Sequence, residues 1–157
     1  MSAFRRQPKE QLGQVLIQRR VITPEQLSQA LQAQQEQGGL LGEVLIKMGF
    51  TTEEDIVHAL AIQHDFPYLP LANYDIDSEV LKLIPESVVR QHGILPVDKM
   101  GDILTLAMAD PLDSQAIEEI QALTKCKTEI FVSTYTEVKE AIERFYGQKE
   151  PPQNKEP

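Results

Sequence analysis

QLGQVLIQRRVITPEQLSQALQAQ, residues 11–34, returns as LLGEVLIKMGFTTEEDIVHALAIQ at residues 40–63. With this offset Leu12/Leu41, Gly13/Gly42, Val15/Val44, Leu16/Leu45, Ile17/Ile46, Thr23/Thr52, Glu25/Glu54, Ala30/Ala59, Leu31/Leu60 and Gln34/Gln63 are identical without a gap. Self-similarity of this kind marks one supersecondary unit used twice, each copy burying its apolar face on the other. Each copy reads as two helices. Leu12, Val15, Leu16 and Arg19 stand at helical spacing, and Thr23-Pro24-Glu25-Gln26 then supplies an N-cap, a proline at the first helical position and a reciprocal Gln. Leu27, Ala30, Leu31 and Gln34 form one face of the second helix, which stops at Gly38-Gly39. The second copy repeats the cap with Thr52 and Asp55, and the face with Ile56, Ala59, Leu60 and Gln63. Arg20 stands where the second copy has Gly49, so a left-handed turn residue is lost and the first hairpin is expected to connect differently.

From Phe66 the pattern changes. FPYLPLANYDIDSEV is a Pro- and Asp-rich connection, followed by short helical pieces over Ser78–Ile84 and Pro85–Gln91, ended by Gly93. Ile94–Val97 and Asp102–Ala109 are strand-like and joined by a hairpin at Lys99-Met100-Gly101, with Pro96 favouring an edge strand. Asp113 or Ser114 caps a helix carrying Ile117, Ile120 and Leu123, and Glu129–Val132 is a third strand. Thr134 with Glu137 forms a capping box for a last helix bearing Val138, Ala141, Ile142 and Phe145. The expected architecture is α+β: a helical subdomain of two tandem helix-turn-helix repeats over residues 1–65, then a small three-stranded α+β subdomain over 66–147. Residues 148–157, QKEPPQNKEP, contain nothing apolar to pack and read as a flexible tail or linker.

With 41% hydrophobic residues in 157, the chain can bury a modest core. It has no apolar run of membrane-spanning length and no hydrophobic stretch of the signal-peptide kind near its start, so a cytoplasmic protein without membrane insertion is expected. The single Cys126 agrees with that compartment. A net charge of −9 argues against binding to nucleic-acid polymers. Residues 1–49 nevertheless carry +2 and the remainder −11, so a small anionic ligand suits the repeat region alone.

No catalytic constellation stands out. The phosphate-cradling G-x-x-x-x-G-K-[ST], the G-x-S-x-G and the H-E-x-x-H patterns are all missing, so an enzyme is not expected and no metal or cofactor is called for. His58, His64 and His92 are scattered and read as surface or capping residues. Asp110-Pro111-Leu112-Asp113 reads as turn formation and helix capping rather than as a carboxylate pair. Cys126, flanked by Lys125 and Lys127 but without a partner base, reads as an ordinary thiol. The glycine near the start of both short helices is different, because there it costs stability relative to Ala, so something approaches the backbone closely. One reading is helix packing, with Gly13 and Gly42 facing the opposite copy and the leucines forming core. The other is a ligand, held by the free N–H groups of the short helices over a leucine floor, with the amides of Gln34 and Gln63 reading a polar edge. A ligand with two equivalent halves would suit a surface built twice.

LG-x-x-L-x6-T-x3-L-x2-AL-x2-Q, written twice with five residues between, resembles the MshEN-type N-terminal domain of type II secretion and type IV pilus assembly ATPases. Residues 66–146 are similar to the α+β part that precedes the ATPase core in that family. The resemblance implies a cyclic di-GMP receptor, or a docking module for the platform or ATPase of a secretion, pilus or signalling assembly. The ligand contacts it implies are Gln11, Leu12, Gly13, Leu27, Leu31 and Gln34 in the first copy, with Leu41, Gly42, Ile56, Leu60 and Gln63 in the second. Where the family pattern opens with Arg, this chain has Gln11 and Leu40. A neutral amide gives up a charge-assisted contact of about 1.5–3 kcal/mol.

Overall fold

The computed structural model describes residues 11–147. Leu12–Gln18 (α1) and Pro24–Gln37 (α2) form the first copy of the repeat. The Thr23 side chain accepts from the Gln26 N–H and the Gln26 side chain accepts from the Thr23 N–H, completing the capping box at α2. Leu41–Lys47 (α3) and Glu53–Val57 (α4) open the second copy, with Thr52 accepting from the Asp55 N–H. The copies then part. α2 runs as regular helix through Gln37, whereas α4 passes into a π-helical turn over His58–Ile62. That turn adds a residue to the helical repeat and rotates the residues beyond it, so Gln63 is not placed as Gln34 is.

The first hairpin connects as the second does, against expectation. Arg20 adopts φ +64° where Gly49 has φ +79°. The surrounding hydrogen bonds also match: Val21 N–H to Leu16 O at 2.8 Å mirrors Phe50 N–H to Leu45 O at 3.0 Å. The apolar residues on both sides of the turn must be buried in the same register, and this requirement imposes the left-handed conformation on an arginine.

After the short helices Ser78–Leu81 (α5) and Glu86–His92 (α6), Gly93 ends α6 at φ 63° in the left-handed region. Ile94–Met100 (β1), Ile103–Met108 (β2), Ser114–Thr124 (α7), Lys127–Val132 (β3) and Tyr135–Tyr146 (α8) follow in the order expected. β1 pairs antiparallel with β2, and β2 parallel with β3, in a sheet ordered β1-β2-β3. The hairpin turn falls on Gly101-Asp102, so Lys99 and Met100 belong to the strand. Pro96 lies on the edge strand beside a register shift between Pro96 and Asp98, where a missing N–H is tolerated. Asp113, not Ser114, caps α7, and Thr134 with Glu137 forms the capping box of α8. The tail reading of residues 148–157 lies outside the described residues.

Two hydrophobic clusters result. One is built by α5, α6, α7, α8 and the sheet. The other gathers Leu12, Val15, Leu16, Leu27, Leu45, Ile56 and Leu60 from the repeat, and it takes in Val132 from the end of β3. Tyr135 packs against both. Polar contacts reinforce the junction: the Glu53 carboxylate accepts from the Thr136 N–H at 2.8 Å and from Thr136 Oγ1 at 2.5 Å, joining α4 to the first turn of α8. The second copy is thereby fastened to the α+β half, while the first copy stands over a cleft.

Candidate ligand-binding cleft

The cleft, about 510 Å³, lies between the first copy and the loop from β2 to α7. Gln11, Leu12, Leu31 and Gln34 of the first copy and Leu41 of the second line one wall. Asp110, Leu112, Asp113, Ser114 and Gln115 line the other. The helical face of α2 explains the first wall: Leu27 and Ala30 turn into the core, whereas Leu31, one position further round, remains 43% exposed and reaches the cleft. Gln34 donates through Nε2 to Gly39 O at 3.0 Å, which leaves its carbonyl oxygen to accept.

The other implied contacts are placed elsewhere. Gly13 is buried beneath Leu27, and a Cβ built there would come within 2.7 Å of Leu27 Cδ1. Gly42 is buried beneath Tyr135, whose hydroxyl a Cβ would strike. Close approach to the backbone is thus made by protein at both glycines, but neither faces the opposite copy as the packing reading expected: one meets its own second helix and the other meets α8. Ile56 at 2% exposure and Leu60 at 0% are core residues. Gln63 is exposed, and its backbone carbonyl accepts from Arg19 Nη2 at 2.8 Å.

The opposite wall was not foreseen. Asp110 and Asp113 do form the turn and cap read from the sequence: Asp110 Oδ1 accepts from the Leu112 N–H and Asp113 Oδ1 from the Ala116 N–H, both at 3.1 Å. The fold then turns these capping carboxylates toward the first copy, a juxtaposition carried by residues far apart in the chain with no local signal. Burial pushes the Asp110 carboxyl up to about 6; the Asp113 charge adds to this and the Leu112 N–H opposes it. Burial likewise pushes the Tyr135 phenol up, with the Asp110 charge contributing next. The Tyr135 hydroxyl makes no well-formed hydrogen bond to any described residue. Leu40, the counterpart of Gln11, faces a separate cleft of about 220 Å³ at the junction, with Glu43, Arg90 and Lys139. The described histidines and carboxylates form no cluster fit for a metal ion. No helix among the described residues is long and apolar enough to cross a membrane.

What the larger cleft offers is an apolar floor of leucines, amides that both donate and accept, and two acceptor carboxylates. This suits a flat polar ring better than a bare anion. Comparison with known proteins places the architecture. The MshEN domain family matches residues 64–152, and the chain belongs to that family. The match begins just past the repeat, which ends at Gln63, and covers the α+β half. The type IV pilus assembly ATPase PilB of Myxococcus xanthus is 33% identical over 140 residues, 89% of this chain and 25% of that protein, a span long enough to include repeat sequence. Among solved structures, the N-terminal domain of XpsE superposes with a TM-score of 0.69 at 25% identity, covering 94% of this chain and all of that one. MshE with cdg superposes with a TM-score of 0.63 at 30% identity, covering 87% and 99%. The chain spans about a quarter of the length of PilB, and the ATPase activity in that name is not carried over to it.

Proposed function

We propose that the chain is a non-catalytic regulatory or adaptor module of a secretion or pilus ATPase, acting on the cytoplasmic side and binding cyclic di-GMP in the cleft between the first copy and the β2–α7 loop. The observation that carries this reading is the convergence of Gln11, Leu12, Leu31, Gln34 and Leu41 on one cavity. The MshE structure with cdg, read as cyclic di-GMP, supports the choice of ligand. A guanine ring would stack over the leucines, with its adjacent N–H donors directed at the Asp110 and Asp113 carboxylates and its acceptors at the glutamine amides. Phosphates would face outward, away from the two carboxylates. Calorimetric titration tests this: wild type should release or absorb heat with cyclic di-GMP, Gln34→Ala should bind about tenfold more weakly, and Gln11→Arg should bind more tightly through a regained charge-assisted contact. No heat at high micromolar ligand would sink the proposal.

A second reading, a nucleotide-independent docking module for a secretion or pilus partner, is favoured by the same acidic wall and by the neutral Gln11 and Leu40. It predicts that a partner ATPase or platform protein is retained by the chain whether or not cyclic di-GMP is added, and by Gln34→Ala as well as by wild type. Loss of the partner in Gln34→Ala would count against it.

A further inference from the structure

We infer that two molecules of this chain pair antiparallel along the open edge of β3, about a two-fold axis at Thr128, and so join their sheets. β3 lies at one edge of the three-stranded sheet. Its Lys127 N–H reaches inward to Asp102 O at 2.8 Å, whereas the N–H and carbonyl of Val132 face outward and are taken by Pro67 and Leu69. Backbone direction alternates along a strand, so the N–H and carbonyl groups of Thr128 and Ile130 also face outward. No described residue pairs with them from that side. An unpaired edge of this kind is a template for another strand.

The charges on the edge select which strand. Lys127 and Glu129 are exposed, stand on one face of β3, and form no ion pair with a described residue. Two antiparallel strands centred on Thr128 set Lys127 of each molecule against Glu129 of the other. These are non-hydrogen-bonded positions, where opposed side chains approach most closely. Centring the axis on Glu129 instead would oppose two carboxylates. It would also bring Cys126 of one molecule against Val132 of the other, whose outward groups Pro67 and Leu69 already occupy. In the Thr128 register, position 132 meets position 124, where the opposing chain still belongs to α7 and enters the sheet only after Lys125 turns it at φ 59°. The alternation of Lys and Glu thus fits its own antiparallel image and disfavours an unrelated apolar strand.

The joint is short: the two Thr128 residues exchange N–H and carbonyl bonds, and the Ile130 N–H of each molecule meets the Cys126 carbonyl of the other. A contact of this size gives a weak, reversible dimer rather than an obligate one. Sedimentation equilibrium of the full chain, from micromolar to submillimolar concentration, tests it. Wild type should pass from monomer to dimer over that range. Lys127→Glu and Glu129→Lys each place like charges in both symmetric pairs, and each should weaken self-association by about tenfold or more. An equimolar mixture of the two variants restores opposite charges in both pairs and should dimerise as wild type does, which also shows that neither substitution has damaged the fold. A wild type that stays monomeric throughout, a dimer that neither substitution weakens, or single variants whose mixture remains monomeric would each overturn the inference.

Discussion

Arg20 holds a backbone conformation that its side chain disfavours. At φ +64° it does what Gly49 does in the other copy, at a cost of about 1–2 kcal/mol for an L-residue with a Cβ, partly offset by the greater freedom glycine has in the unfolded chain. Arg20→Gly should therefore stabilise the protein by about 0.5–1 kcal/mol, which for a chain of this size raises Tm by about 2 °C in a thermal melt. Asp110 carries a second cost that varies with pH. Its carboxyl titrates at about 6 rather than at 3.8, so between those values the native state holds more protons than the unfolded one. Its contribution is therefore fully present below about pH 4 and is lost as pH rises through 6. Asp110→Asn keeps the acceptor for the Leu112 N–H without the charge; it should raise Tm relative to wild type at pH 7, with the difference closing near pH 4.

Between elements, the contact of α3 with α8 decides how the repeat is mounted. Tyr135, at the first position of α8, lies over Gly42, at the second position of α3. Gly42→Ala puts a methyl group into the phenol and should destabilise by about 2 kcal/mol, within the usual range for overpacking. Tyr135→Ala removes the obstruction, so in a double-mutant cycle followed by urea denaturation the two changes should sum to clearly less than their separate costs. Additive losses would mean that the helices are not held by this contact. The α4 turn belongs to the same scale: two segments with nearly the same pattern of apolar residues take different helical forms, and Leu31 of one borders the cleft while Leu60 of the other is packed in the core.

Across the whole molecule, Val132 and Tyr135 join the repeat to the α+β half. Val132 ends β3 in one half and is fully buried in the hydrophobic cluster of the other. Pro67 O accepts from the Val132 N–H at 2.8 Å and Val132 O accepts from the Leu69 N–H at 2.9 Å, so the connecting segment also docks there. With the shared core crossing the division between halves, unfolding should be a single transition: urea curves followed by far-UV circular dichroism, which reports helices of both halves, and by the fluorescence of Tyr68, Tyr74, Tyr135 and Tyr146 should coincide. Val132→Ala should shift both curves together by about 1–2 kcal/mol. Separate midpoints would show two independently folding units.

Local and periodic features are legible in the chain without its fold. The caps at Thr23, Thr52 and Thr134, the edge position of Pro96 and the order of strands and helices come from spacings within a few residues, the duplicated unit from the recurrence of 11–34 at 40–63, and the structure preserves them. Part of the candidate site was legible in the same way, since Gln11, Leu12, Leu31, Gln34 and Leu41 belong to the repeated motif and meet in one cleft. What faces the repeat is settled by packing alone. Identical leucines at 31 and 60 differ in what covers them: Leu31 borders the cleft and is 43% exposed, whereas Leu60 is packed in the core. Asp110 and Asp113 become a cleft wall because the sheet carries their loop to α1 and α2, a proximity set by the packing of two cores and invisible to any local pattern.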